Sequence, residues 1–247
     1  MRLAAALVVL ALLGGGSARA ADYCGYGHGT AVLFVDRTTA FDATDKTLFL
    51  QALDGLIGGL GAGDRLVLYT MTGAYTESQK LFDQCKPGCL DNGFFSDLMS
   101  SCRPVVARSD AVAFTRKLAE TLAGLLQRPA ETRFSDLFRT VADALRPYVA
   151  GPQKLLKVYM FSDLIENSTL LPERELKRLP PAAAVQRLQA AGVMAAFGGA
   201  EVRVFGFGRD DSLGRPPLPQ AERQRIAQTW RLWFAAGGAG PVEIGFR

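Results

Sequence analysis

The sequence predicts an α/β fold in which a mostly parallel sheet is covered by helices on both faces. Along the chain, apolar runs of strand length alternate with segments of helical period. Two of the apolar runs end in carboxylates: Ala31–Val35 is followed by Asp36, and Val158–Phe161 is followed by Ser162 and Asp163. Uninterrupted apolar runs are typical of strands buried on both faces, and ligands of such sheets collect where the strands end. A functional site is therefore expected at these two aspartates.

The expected elements follow in order along the chain. The first helix carries an apolar stripe of helical period that includes Leu53, Leu56 and Leu60. Strands are predicted at 31–36, 65–70, 202–207 and 242–246, with another ending at Asp163, and helices at 44–60, 110–127, 135–146, 182–191 and 220–235. This βα alternation predicts the parallel sheet and its two helical layers.

Length and composition predict one exported domain. The chain has 247 residues, of which 49% are hydrophobic, enough for one sizeable core and too few for two α/β domains. Residues 1–20 combine a positive start, a short apolar run and an Ala-Arg-Ala cleavage signal, as signal peptides do. No later segment reaches about 18 consecutive apolar residues. We expect a mature domain of residues 21–247, periplasmic or secreted, without a transmembrane anchor.

Charge and histidine content argue against two functional classes. Loss of residues 1–20 removes two arginines, so the formal charge falls from +4 to +2, and the basic residues are dispersed. A nucleic-acid binder would show a basic stripe, whereas the densest charged stretch, 173–178, mixes both signs and is typical of a solvated helical face. The only histidine, His28, precedes the first strand, at the opposite end of the sheet from Asp36. A hydrolytic triad is therefore not expected, and we predict that the protein is not an enzyme.

Hydroxyl and carboxylate side chains suggest a metal site. Asp36-x-Thr38 follows the first strand, Ser135 precedes a helix about a hundred residues later, and Asp163 ends a later strand. Such hard oxygen donors suit Mg²⁺ or Mn²⁺. Either aspartate alone also fits a helix cap or a strand-end turn, so the order of the motifs is more informative than any one of them.

This pattern resembles the metal-ion-dependent adhesion site of von Willebrand factor A domains. There a D-x-S-x-S motif follows the first strand, a Thr precedes a later helix, and an Asp ends the fourth strand. The resemblance covers about residues 30–247 and implies a three-layer α/β/α, Rossmann-like fold with one antiparallel edge strand. It assigns the metal ligands to Asp36, Thr38, Ser135 and Asp163.

Two positions depart from the family pattern. Ala40 stands where the second Ser is expected and offers no oxygen, so the site is degenerate, with Thr39 or a water as the candidate replacement. Ser135 stands where the family has Thr, and the nearby Thr132 is the alternative residue for that position.

Four cysteines predict two disulfides. Cys24, Cys85, Cys89 and Cys102 all follow the signal segment, and an even number in an oxidising compartment favours pairing. The residues alone leave three pairings open. The A-domain arrangement implies a bridge from Cys24 to a Cys-bearing insertion at about 71–109, with the other pair local to that insertion. A four-Cys zinc site is the rival interpretation, but a second closely spaced pair is missing.

The resemblance implies an adhesion or assembly module. The divalent cation would receive an acidic side chain of another protein, from the cell envelope or a secretion- or conjugation-type assembly. One alternative, favoured by Ala40, is a scaffold domain with a non-functional metal site. A second is a metal-dependent phosphoryl hydrolase of the haloacid dehalogenase type. Those enzymes carry D-x-D after the first strand, whereas this chain has Thr38, which is no general acid near neutral pH.

Overall fold

The computed structural model describes residues 23–90, 102–127, 132, 134–149, 151, 153–208 and 217–246. The predicted signal peptide, residues 1–20, lies outside the described residues, as do residues 91–101 of the expected insertion.

Strands and helices alternate through the described part of the chain. The strands are β1 (Gly29–Asp36), β2 (Arg65–Met71), β3 (Lys80–Cys85), β4 (Lys154–Phe161), β5 (Glu201–Phe207) and β6 (Val242–Phe246). The α-helices are α1 (Ala43–Gly58), α2 (Pro104–Gln127), α3 (Leu137–Val149), α4 (Glu173–Leu176), α5 (Pro181–Ala190) and α6 (Gln220–Ala236). Short 3-10 turns lie at Tyr23–Tyr26 and Tyr75–Glu77.

The strands form one sheet in the order β3-β2-β1-β4-β5-β6. Strand β1 is central and pairs in parallel with β2 and β4, whereas β3 pairs antiparallel with β2 at the edge. The register sets Val35 opposite Phe161, so β1 and β4 end side by side. This topology confirms the expected fold class, a three-layer A-domain-like fold whose single sheet has one antiparallel edge strand.

Both faces of the sheet are buried under helices, which explains the apolar character of β1. Val32 and Phe34 belong to the core on one face, together with side chains of α3, α5 and α6. Leu33 and Val35 belong to the core on the other face, with side chains of α1 and α2. A central strand covered on both sides needs apolar side chains at every position, so its sequence loses the alternation of a half-exposed strand.

Two helices begin at positions that differ from the prediction. Helix α2 begins at Pro104 rather than at 110, which suits proline because the first turn of a helix needs no amide donor from that residue. Helix α3 begins at Leu137 rather than at 135, because the backbone of Ser135 pairs with Asn167 instead.

Both predicted disulfides are present. Cys24 pairs with Cys85, and Cys89 pairs with Cys102. The first joins the turn before β1 to the end of β3, at the edge of the sheet opposite Asp36. This is the pairing that the A-domain arrangement implied.

Among the described residues, no helix has both the length and the apolar character needed to cross a membrane.

Candidate metal centre

Asp36 ends the central strand and is fully buried. Its Oδ1 accepts hydrogen bonds from the backbone N–H of Thr38, at 2.9 Å, and from the Thr38 hydroxyl, at 2.7 Å. Its Oδ2 accepts the Ser162 hydroxyl, at 2.6 Å, from the loop after β4. The first two bonds form a local turn of the kind that aspartate favours, and the third joins two neighbouring strand ends. Asp36 is therefore held in one orientation.

Asp163 lies beside it and is only 2% exposed. Its Oδ2 accepts the Thr39 hydroxyl at 2.6 Å, and its Oδ1 accepts the backbone N–H of Ile165 at 2.9 Å. Thr39, the residue expected to replace the missing second serine, thus connects the loop after β1 to the loop after β4. The structure places Asp36, Thr38 and Asp163 at the same edge of the sheet.

Ser135 reaches the same edge from the segment before α3. Its backbone forms an antiparallel bridge with Asn167, with N···O distances of 3.1 and 2.8 Å. The residue is 4% exposed, and within the described structure its hydroxyl has no hydrogen-bond partner. Buried hydroxyls are nearly always partnered, so a group that accepts or donates is expected there.

The neighbouring hydroxyl of Thr132 is already engaged. Its Oγ1 accepts the backbone N–H of Phe134 at 3.1 Å. A Cβ on Gly73 would lie 2.7 Å from the same oxygen, so the segment before α3 packs closely against the turn after β2. Between the two candidates for the family Thr, Ser135 is the one with a buried and unused hydroxyl.

Glu166 connects the two loops that carry Ser135 and Asp163. This buried carboxylate accepts the backbone N–H groups of Leu137, at 2.6 Å, and of Phe138, at 3.2 Å. The first amides of a helix lack intrahelical partners, so Glu166 caps α3 from a distant loop. Burial raises the pKa of Glu166 to about 8, against the opposing effect of the Ser168 hydroxyl and the two amides. No local pattern in the sequence marks Glu166 as a helix cap, so its role could not be predicted from the neighbouring residues.

The turn between Asp163 and Glu166 contains an unusual backbone conformation. Leu164 has a φ of 60°, and it is the one non-glycine residue with positive φ in the described ranges. A bulky side chain rarely adopts this conformation. The Ser162 hydroxyl accepts the Leu164 N–H at 2.9 Å, and the Trp230 indole N–H donates to the Leu164 carbonyl at 2.9 Å. Backbone strain of this kind is concentrated at functional sites.

The donor set fits a small hard cation. The two carboxylates lie beside the hydroxyls of Thr38, Thr39 and Ser162, and the segment that carries Ser135 pairs with the loop that carries Asp163. All of these side chains offer oxygens of the type that Mg²⁺ and Mn²⁺ prefer. The orphaned Ser135 hydroxyl supplies an oxygen that no protein group uses. Over the described ranges, no group of three or more His, Cys, Asp and Glu residues is arranged to hold a metal. The predicted site is not such a group, because it contains two carboxylates and its other oxygen donors are hydroxyls.

Comparisons with known proteins are distant. No protein-family model matches the chain, and no curated protein matches it. An aerotolerance-related membrane protein from Bacteroides fragilis is 13% identical, with a TM-score of 0.41, over 87% of this chain and 90% of that one. BatB from Bacteroides thetaiotaomicron is 10% identical, with a TM-score of 0.42, over 89% of this chain and 91% of that one.

A third similar structure is proximal thread matrix protein 1 from the mussel byssus, solved with a zinc-occupied MIDAS motif. It is 13% identical, with a TM-score of 0.36, over 91% of this chain and 43% of that one. This chain therefore spans less than half of the mussel protein. At such low similarity, the assignment of the site rests on the residues of this chain alone.

Proposed function

We propose that the protein is an exported protein-binding module that receives an acidic side chain of its partner at a divalent cation, Mg²⁺ or Mn²⁺. The observation that supports this proposal is the buried, unused hydroxyl of Ser135, in a segment that pairs with the loop after β4. In the same region Asp36 accepts the Ser162 hydroxyl and Asp163 accepts the Thr39 hydroxyl. Two disulfides support an oxidising compartment, either the periplasm or the exterior.

The residues divide into two roles. Asp36 and Asp163 supply the negative charge, and their hydrogen bonds to Ser162 and Thr39 fix their spacing. Thr38 and Ser135 supply neutral oxygens. When bound, the ion would act as a Lewis acid whose incomplete shell of protein ligands leaves a position for a partner carboxylate.

The surface around this edge suits a protein partner. Phe134, next to Ser135, is 60% exposed. Tyr75, after β2, is 36% exposed, and the guanidinium of Arg139 lies 5.0 Å from the centre of its ring. Exposed aromatic and arginine side chains are enriched where protein partners bind most strongly. They would surround the carboxylate that enters the site.

A phosphoryl hydrolase is a weaker candidate, and we propose no catalytic role. The Thr38 hydroxyl donates to Asp36, at the position where such an enzyme needs a second carboxylate. The scaffold alternative remains distinct, because it requires no ion at all.

Calorimetric titration with Mg²⁺ and Mn²⁺ tests the proposal. The informative variant is Asp163→Asn, because its side-chain oxygen still accepts the Ile165 amide while one charge is lost. The matched control is Asp54→Asn, on the exposed face of α1. We expect weak binding to the wild type and the control, and at least ten-fold weaker binding to Asp163→Asn. Equal heats for all three proteins, or none at millimolar metal, would favour the scaffold alternative.

A further inference from the structure

A charged groove is lined in part by Asn167, the residue whose backbone pairs with Ser135. Its volume is about 490 Å³, and its walls come from the loop after β4, helix α4 and the start of α6. Asn167, Arg174, Lys177, Arg178 and Glu222 are among its lining residues. A second groove of about 420 Å³ shares Arg178 and continues along α6. We call the two together the Arg174–Arg178 groove.

The groove carries a net positive charge, because its lining has four basic residues, Arg174, Lys177, Arg178 and Arg225, against two acidic ones, Glu173 and Glu222. Both glutamates lie close to Lys177: its ammonium group pairs with Glu173 and is 3.9 Å from a Glu222 carboxylate oxygen. Arg174 and Arg178 are exposed, and neither forms an ion pair within the described structure. Two guanidinium groups are thus available to a ligand, and guanidinium groups bind carboxylates with two parallel hydrogen bonds.

Asn167 makes the groove continuous with the metal edge. Its backbone pairs with Ser135, and its side-chain oxygen accepts the Glu173 N–H at 3.1 Å. One residue therefore touches both the segment of a proposed metal ligand and the first turn of α4.

We propose that the Arg174–Arg178 groove binds an acidic segment of the partner protein, next to the side chain that reaches the ion. This inference rests on the proposed function and names the chemistry of the partner: one carboxylate for the cation, and further carboxylates nearby in the same segment for the two arginines. Exposed charge pairs are individually weak and are screened by salt, so the groove adds affinity and orientation to the metal contact.

Fluorescence anisotropy with a labelled octaglutamate peptide tests the groove. The informative variant is Arg174→Gln/Arg178→Gln. The matched control is Arg108→Gln/Arg116→Gln, which removes two exposed arginines from α2, on the other face of the sheet. Each protein is titrated at low and at high salt, in millimolar Mg²⁺ and in chelator.

We expect the groove variant to bind the peptide about five-fold more weakly than the wild type at low salt, with or without Mg²⁺, and the control to bind as the wild type does. High salt should remove most of the difference. Three results would overturn the proposed role of the groove: no binding of the peptide to the wild type, equal affinity of the groove variant and the wild type, or an equal loss of affinity in the control. Tighter binding of a labelled oligothymidylate through the same arginines would also overturn it.

The same titrations separate the two proposals. If Mg²⁺ does not alter the wild-type affinity but the arginine variant still weakens binding, the metal-mediated function fails and the groove remains. If Mg²⁺ strengthens binding equally in the wild type and the arginine variant, and their affinities are equal, the groove fails and the metal-mediated function remains.

Discussion

Replacement of Glu166 by glutamine should make the protein more stable at alkaline pH. Glu166 is buried, and it caps α3 through the Leu137 and Phe138 amides. Burial raises its pKa from 4.5 to about 8, the Ser168 hydroxyl and the two amides lower it, and the neighbouring Asp136 adds to the rise. Glutamine keeps an oxygen that accepts from the helix amides and never ionises.

The direction of the stability change with pH follows from the number of protons that the folded and unfolded states bind. The folded protein holds the Glu166 proton up to about pH 8, whereas the unfolded chain releases it near pH 4.5. The folded state therefore binds more protons between these values, and its stability falls as the pH rises through this window. Each pKa unit corresponds to about 1.4 kcal/mol, so the full shift corresponds to a loss of up to about 5 kcal/mol, complete above about pH 8.

Urea unfolding at several pH values between about 5 and 9 measures this effect. The wild type should lose more stability than Glu166→Gln across the window, and the difference should level off above about pH 8. Glu120→Gln, an exposed substitution on α2, should follow the wild type. Parallel pH profiles for wild type and Glu166→Gln, or a wild type that gains stability relative to the variant at high pH, would show that burial does not keep Glu166 protonated in the folded protein.

Three further predictions concern the core, the disulfides and the binding surface. Met160→Asp should unfold the domain, because an unpaired charge in the sheet interior costs several kcal/mol. Asp163→Ala should retain the fold with a lower melting temperature and lose chelator-sensitive partner binding. If circular dichroism shows that Asp163→Ala is unfolded, Asp163 is a structural residue. Thiol titration in denaturant without reductant should find no free sulfhydryl. Replacement of both Cys24 and Cys85 by serine should lower the free energy of unfolding by about 4 kcal/mol, because the disulfide joins residues 61 positions apart. Phe134→Ala should weaken partner binding and leave the melting temperature within about 1 °C, because the ring is exposed; a large loss of stability would contradict its assignment to the surface.

The sequence predicted the parts of the site that follow directly from strand ends. An apolar run of five residues before Asp36 requires a strand buried on both faces, and β1 is the central strand. The apolar run before Asp163 predicts the neighbouring strand in the same way. Because parallel strands end at one edge, a local pattern places both aspartates at the same edge of the sheet.

Contacts between distant segments could not be predicted in this way. Glu166 caps a helix whose first residue is 29 positions earlier, and nothing near Glu166 in the sequence signals that partner. Leu164, with its positive φ, accepts a hydrogen bond at its carbonyl from the Trp230 indole, 66 positions away. Thr39 was a candidate only as a substitute for the missing serine, and its bond to Asp163 spans 124 positions. Such contacts depend on how the loops pack, which periodicity does not encode.

Anomalous scattering from crystals grown with millimolar Mn²⁺ tests directly whether the site binds a metal. We expect one anomalous peak at the carboxyl edge of the sheet, within coordination distance, about 2.0 to 2.6 Å, of oxygens from Thr38 and Ser135 and close to Asp36 and Asp163. In Asp163→Asn crystals grown in the same way, the peak should be much weaker. A wild-type map without a peak at this edge, or with manganese bound only elsewhere on the domain, would show that these residues do not form a metal site.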